Sequence, residues 1–284
     1  MSITERREAL YGYLLVSPFL FFLIFFIGFP IIYEIAMSVL NDNLQFVGAY
    51  YFKQLTVDPN YIESLTNTLL YVGVGVNVKM FISLLLANAL LLIDFRGKRV
   101  YRTLILIPWV IPLVPSALNF RWMFDTDYGI VNQILTSIGL SPMPWLTNDH
   151  LALATVIFAH IWTNVPFWSL ILLSGLQNIP VQLYDAAKID GAGGWGTFRY
   201  VTAPLVRRLY IISLLLSTVW TMGDFTIIWT LTEGGPANAT QIVATNAYRV
   251  AFQFGEFSYA ASMFVAVMPV LVLFILVLLR MLKE

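Results

Sequence analysis

Two sets of residues have the types and spacing to do chemistry. Residues 185–196 read DAAKIDGAGGWG, and the last six, Gly191 to Gly196, spell G-x-G-x-x-G. That spacing lets a tight turn bring backbone N–H groups up to a dinucleotide pyrophosphate. The second set is Asp224 in VWTMGDFTIIW and Lys79 in VNVKMF, two ionisable side chains within apolar runs. A charge there is expensive unless it is paired or used, so the two mark a substrate contact or an internal salt bridge. The elements that carry them decide between these chemistries.

Of the 284 residues 59% are hydrophobic and only 11% charged, against about 25% charged in soluble domains. This is membrane-protein composition. The formal net charge is zero, so nothing points to nucleic acid as a partner. There is no cysteine, which excludes disulfides, thiolate metal sites and a cysteine nucleophile. About 20 helical residues cross a bilayer core, and six runs are long enough: roughly 10–37, 65–93, 103–124, 152–176, 208–231 and 257–281. The uncharged stretch 9–33 is too long for a signal-peptide core and has no small-residue cleavage site after it, so it reads as an uncleaved first span. The expected fold class is therefore an all-α membrane protein of six transmembrane helices, with 1–284 forming a single transmembrane domain.

With the N-terminus in the cytoplasm, the cytoplasmic segments collect Arg6, Arg7, Arg96, Lys98, Arg99, Arg102, Lys188, Arg199, Arg207, Arg208, Arg280 and Lys283. The other side keeps only Lys53, Arg121 and Arg249, with Lys79 inside a span. By the positive-inside rule both termini are cytoplasmic, in a multi-pass protein of the cell membrane. Pro108, Pro112 and Pro115 recur in the third span, Pro166 lies in the fourth and Pro269 in the sixth. Proline frees helix carbonyls that neighbouring helices or water must satisfy, which favours a bundle with a lined interior. Each alone also suits a kinked packing helix.

The glycine-rich stretch falls in a cytoplasmic loop, 177–207, between the fourth and fifth spans. A dinucleotide turn needs a strand ending at its first glycine. Here NIPVQLYDAAKID is helical in pattern, with Pro180 suited to a first turn and Gly191 to a C-cap. The nucleotide reading fails on that context. What remains is a short helix, about 181–190, a glycine break, and a second amphipathic segment from Trp195 to Ala203 that ends before Pro204. Ala186 and Ala187 leave a low surface that a partner's ridge can enter.

The run YDAAKIDGAGGWGTFRYVTAPL resembles the loop signature of ABC importer permeases, E-A-A-x-x-D-G-A followed by F and then I-x-L-P. Asp185, Ala186, Ala187, Asp190, Gly191, Ala192, Phe198, Val201 and Pro204 stand at its positions, with Asp for the leading Glu and Ala203 where Leu is usual. Residues 94–125 and 230–262 look like the carbohydrate-importing, maltose-type branch. The resemblance implies that residues 185–192 form a coupling helix docking on a separate ATPase. ATP and Mg²⁺ would be bound by that partner, with no cofactor in this chain. It also implies a second permease subunit, usually a different chain, two ATP-binding subunits, and an extracytoplasmic solute-binding protein that delivers a sugar.

A sugar offers hydroxyls to hydrogen-bond and apolar ring faces to stack, so Asp224, Trp220, Asn164, Trp162 and Asn119 are the expected substrate-pathway residues. For Trp162 and Trp220 helix packing is the competing reading, and Asp224 either lines the path or pairs with Lys79. His160 reads as a packing or hydrogen-bonding residue rather than a metal ligand. An intramembrane protease would want two facing aspartates, a placed Ser–His pair or H-E-x-x-H, none of which is found. An ATP-independent secondary transporter or channel is the alternative, but the inverted repeats such proteins carry are not visible.

Overall fold

The computed structural model describes residues 3–92 and 98–282, with side chains described over 11–91 and 100–282. Arg96 and Lys283 of the orientation argument lie outside the described residues, as do the first residues of the 94–125 stretch. The side chains of Arg6, Arg7, Lys98 and Arg99 are also outside the description. Among the described residues there is no strand, only an isolated antiparallel bridge between Leu40 and Phe46.

In chain order the helices are α1 (Ile3–Leu23), α2 (Phe29–Met37), α3 (Tyr50–Leu55), α4 (Pro59–Leu92), α5 (Lys98–Ile105), α6 (Ile107–Val110), α7 (Leu113–Met123) and α8 (Ile130–Ser137). After these come α9 (Asp149–Gln177), α10 (Val181–Ile189), α11 (Gly194–Thr197), α12 (Ala203–Met222), α13 (Thr226–Thr232), α14 (Val243–Phe252) and α15 (Phe257–Met281). Among the described residues five helical stretches are long and apolar enough to cross a bilayer: Tyr11–Met37, Pro59–Leu91, Asp149–Gln177, Gly194–Met222 and Phe257–Met281.

The expected third span, 103–124, is not one continuous helix. It is divided into α5, α6 and α7, and the prolines explain where. Pro112 caps α7, and Ile111 before it is extended, with φ −62° and ψ 129°. A residue preceding proline is pushed out of the helical region by the proline ring, and so the ladder stops there. Pro115 falls in the first turn of α7, where a missing N–H costs nothing.

The expected fifth span, 208–231, is also interrupted. α12 ends at Met222, capped by Gly223, and the next helix, α13, starts at Thr226, leaving Asp224 in the break rather than on a helix. At its other end the reading is corrected in the opposite sense, because the chain does not stop before Pro204. A π-helical turn, Phe198–Thr202, runs directly into α12. The same arrangement joins α1 to α2, where the π turn Ile24–Gly28 precedes Pro30. The wider turn relieves the clash of a proline ring with the carbonyl one turn back, so the helix continues through it.

The chain groups into two compact units. The first comprises residues 1–58 and 247–268. Within it Tyr259 donates its hydroxyl to Asp58 Oδ2 at 2.6 Å, and the Ser258 N–H donates to Asp42 Oδ1 at 2.9 Å. The second comprises 59–246 and 269–284 and holds all the candidate site residues. Its frame is α4 packed lengthwise on α9, with α12 against both and α13 against α7. Tyr71, Val76, Met80, Ala87, Leu90, Val156, Ala159, Trp168, Leu172 and Leu176 on α4 and α9 are almost completely buried. At the start of α4 the amide of Asn67 donates to the carbonyls of Asn238 and Gln241, and Thr68 Oγ1 accepts from the Val243 N–H. These bonds tie the segment after α13 to α4.

Candidate functional site

Helical spacing brings the ionisable residues together. Tyr71 and Lys79 are eight residues apart on α4, two turns along one face. His160 and Asn164 are four apart on α9, Thr221 lies in the last turn of α12, and Asp224 lies in the break that follows. Lys79 is 1% exposed and His160 3%. Lys79 Nζ lies 2.9 Å from His160 Nε2, and His160 Nδ1 lies 3.0 Å from Asp224 Oδ2. Lys79 also donates to Thr221 Oγ1 at 3.2 Å, and Tyr71 donates its hydroxyl to Asp224 Oδ2 at 2.7 Å. Thr221 in turn donates to the Ser217 carbonyl at 2.7 Å, and Asn164 donates to that of His160 at 2.9 Å.

The direct Lys79–Asp224 pair considered from sequence is thus replaced by a chain of three, with the imidazole between the two charges. An ammonium only donates and a carboxylate only accepts. The imidazole that fits between them is neutral, accepts at Nε2 and donates at Nδ1. The set carries one positive and one negative charge, sums to zero, and gives each buried group a partner, which is the condition for burying ions at all. His160 is the hydrogen-bonding residue the sequence reading expected, in a larger role.

This chain forms one wall of a cavity of about 300 Å³, lined also by Asn164, Trp168, Ser217, Trp220, Gly223 and Phe225. Asp224, Trp220 and Asn164 of the expected pathway residues meet there. Trp220 is 58% exposed and lies with ring centroids 5.6 Å from Trp168 and 5.9 Å from Phe167. Trp162 and Asn119 do not line the cavity. Trp162 packs edge-on against Phe120 at 5.2 Å, and Asn119 is on the exposed side of α7. Tyr71, Trp168 and Thr221 went unnoticed in the sequence. Tyr71 had one available signal, its two-turn spacing from Lys79.

The second group of candidates is on the loop after α9. α10 ends at Ile189, and Gly191, just past its capping residue Asp190, has a φ of +78°. The Gly191 N–H donates to the Lys188 carbonyl and the Ala192 N–H to that of Ala187, at 3.1 and 2.9 Å. This double bond is the Schellman closure of a helix, which needs the left-handed residue that glycine supplies most easily. The G-x-G-x-x-G spacing therefore ends one helix and begins another. Ala186, Ala187, Asp190, Gly191 and Ala192 border a depression of about 730 Å³ whose other side is Gly196, Tyr200, Val201, Pro204 and Leu205. Asp185 lies beside it, paired with Lys188 at 3.5 Å in solvent, an exposed contact worth little.

The sequence pattern of the family described as Binding-protein-dependent transport system inner membrane component matches residues 79–282. The chain is 32% identical to the trehalose/maltose transport system permease protein MalF of Thermococcus litoralis, over 98% of this chain and 96% of that protein. It is 34% identical to the lactose transport system permease protein LacF of Rhizobium radiobacter, over 96% and 94% respectively. Among solved structures, a chain of a bacterial ABC transporter involved in the import of the acidic polysaccharide alginate superposes with a TM-score of 0.86. That match covers 98% of this chain and 96% of the other at 23% identity, so it speaks for the fold.

Proposed function

The chain belongs to the binding-protein-dependent transport system inner membrane component family, and we propose that it is the permease subunit of an ATP-driven carbohydrate importer. The observation that carries this is similarity along nearly the whole chain to permeases whose names specify trehalose, maltose and lactose. On this reading α5, α6 and α7 together make the third of six crossings, and both termini are cytoplasmic. The chain supplies half of the translocation path. A second permease, two ATP-hydrolysing subunits that bind ATP and Mg²⁺, and an extracytoplasmic solute-binding protein complete the importer.

In this reading α10 and the glycine turn after it, residues 185–192, form the coupling element. The depression bordered by Ala186, Ala187 and Gly191 receives a surface of the ATPase, and the Schellman closure keeps α10 rigid enough to transmit its motion. Two global states biased by ATP on one side and sugar on the other make the coupling reciprocal. Asp224, Trp220 and Asn164 contribute to the sugar pathway from the cavity. Trp162 and Asn119 contribute only where the path extends beyond it.

The test is purification of the chain co-expressed with its neighbouring subunits, followed by reconstitution in vesicles. ATP hydrolysis should rise on adding a sugar together with its binding protein, and labelled sugar should accumulate only with ATP. Uptake driven by an ion gradient without ATP, and without any copurifying ATPase, overturns the proposal.

A further inference from the structure

The charges around the cavity are unequally committed. Among the described residues Lys79 is the only lysine or arginine lining it, and its ammonium is taken up by His160 and Thr221. His160 has both ring nitrogens engaged. Asp224 differs from both. Its Oδ2 accepts from His160 and from Tyr71, while Oδ1 makes no hydrogen bond among the described residues. Nor is Oδ1 sealed in, since it is not one of the buried unpartnered atoms, unlike the neighbouring Ser217 Oγ. The cavity thus offers a ligand a fixed anionic acceptor, the amide of Asn164 and the exposed face of Trp220, but no free cation among the described residues.

We infer that this cavity is a subsite for one uncharged polyhydroxyl ring and that it discriminates against sugars carrying a carboxylate or phosphate. The inference rests on the carbohydrate-transport reading and narrows its substrate class. A hydroxyl donating to Asp224 Oδ1 makes a charge-assisted bond, the stronger kind. The bond is prepared before the ligand arrives, because Tyr71 and His160 already hold the carboxylate in place. An anionic ring brings a second negative charge to a poorly solvated place where the only compensating charge is already spent. At about 300 Å³ the cavity is at the small end of ligand pockets, which suits a single ring rather than several. The open rim places Trp220 where the apolar face of a ring can lie.

The probes are a neutral disaccharide and the same disaccharide oxidised to its uronate. They are compared by saturation-transfer NMR on the complete purified importer without the solute-binding protein, whose own selectivity would mask the cavity's. The neutral sugar should show saturable transfer whose Kd Trp220→Ala raises roughly tenfold, and the uronate should bind the wild type at least about tenfold more weakly than the neutral sugar. Asp224→Asn removes the anion, leaves Lys79 in excess, and should cut the ratio to threefold or less. A uronate that binds as well as the neutral sugar, or a ratio unmoved by Asp224→Asn, overturns the inference. So does a neutral-sugar Kd unchanged by Trp220→Ala. Where Asp224→Asn does not accumulate, the wild-type ratio decides alone. Absence of transfer from both probes also overturns it, and if the same preparation still shows sugar-stimulated ATPase with a binding protein, the transport reading stands while the subsite falls.

Discussion

His160 Nδ1 stands 3.0 Å from Asp224 Oδ2 while its other nitrogen stands 2.9 Å from Lys79 Nζ. One imidazole therefore links α4, α9 and the break between α12 and α13. Replacing it by a side chain without polar atoms leaves a buried ammonium and a nearly buried carboxylate facing a gap. His160→Phe should cost about 3–5 kcal/mol, the usual result of breaking a buried charged arrangement. His160→Gln, whose amide can accept from Lys79 and donate to Asp224, should retain much of that. Thermal unfolding of the detergent-purified complex, followed by size-exclusion fluorescence, should rank wild type first, Gln second and Phe last.

The same geometry predicts that Lys79 and Asp224 are energetically coupled although they are not in contact. Lys79→Met and Asp224→Asn should each lower stability by several kcal/mol, since each strands one charge. The double variant should lose less than the sum, with a coupling of about 1–3 kcal/mol. Additive losses in a double-mutant cycle on the purified complex would show that the imidazole does not transmit the interaction.

Hydropathy made the long helices legible, and α15 begins and ends where its apolar run does, at Phe257 and Met281. Interruptions were harder to read. Pro112 marked a kink in the sequence, but whether Ile111 bends within a helix or leaves it depends on α9, against which α6 packs. Gly223 was visible, yet a single glycine inside a run of Trp, Thr, Met and Ile gives no sign that Asp224 will sit off-helix. For the site, the rule that intramembrane charges have partners suggested a direct Lys79–Asp224 pair, and His160 read only as a packing or hydrogen-bonding residue. Their order could not be read, because it depends on the rotation of α4 against α9. Residues of the loop fared better: Gly191 follows its helix in sequence, so its left-handed closure is local information.

Gly191 separates backbone strain from steric fit. A Cβ there would meet nothing within 4 Å, so only the positive φ of +78° opposes substitution. Gly191→Ala should cost about 1 kcal/mol and leave transport largely intact. Gly191→Pro, with φ fixed near −65°, cannot keep the closure onto Ala187 and Lys188. Ala186→Arg fills the depression beside it while leaving the backbone alone. On the coupling reading both should reach the membrane, and both should lose sugar-stimulated ATP hydrolysis at least tenfold. Normal stimulation in Ala186→Arg would remove the docking role from this surface.

Trp168 and Trp220 touch the same cavity but differ in burial, and that difference should separate their phenotypes. Trp168 is 3% exposed and packed among Val76, Met80 and Leu172, so Trp168→Ala leaves a void in the core shared by α4 and α9. A loss of about 3–5 kcal/mol is expected, seen as low accumulation in the membrane. Trp220 is 58% exposed, and its ring rests on Phe167 and Trp168 from the open side. Its removal creates no cavity, so Trp220→Ala should accumulate normally and melt within about 1 kcal/mol of wild type. Its effect should fall on transport instead, as an apparent KM for sugar raised roughly tenfold at near-normal maximal rate, which is what losing a contact made equally in the bound and moving states produces. A Trp220→Ala variant that transports with unchanged KM would assign the exposed ring to packing alone.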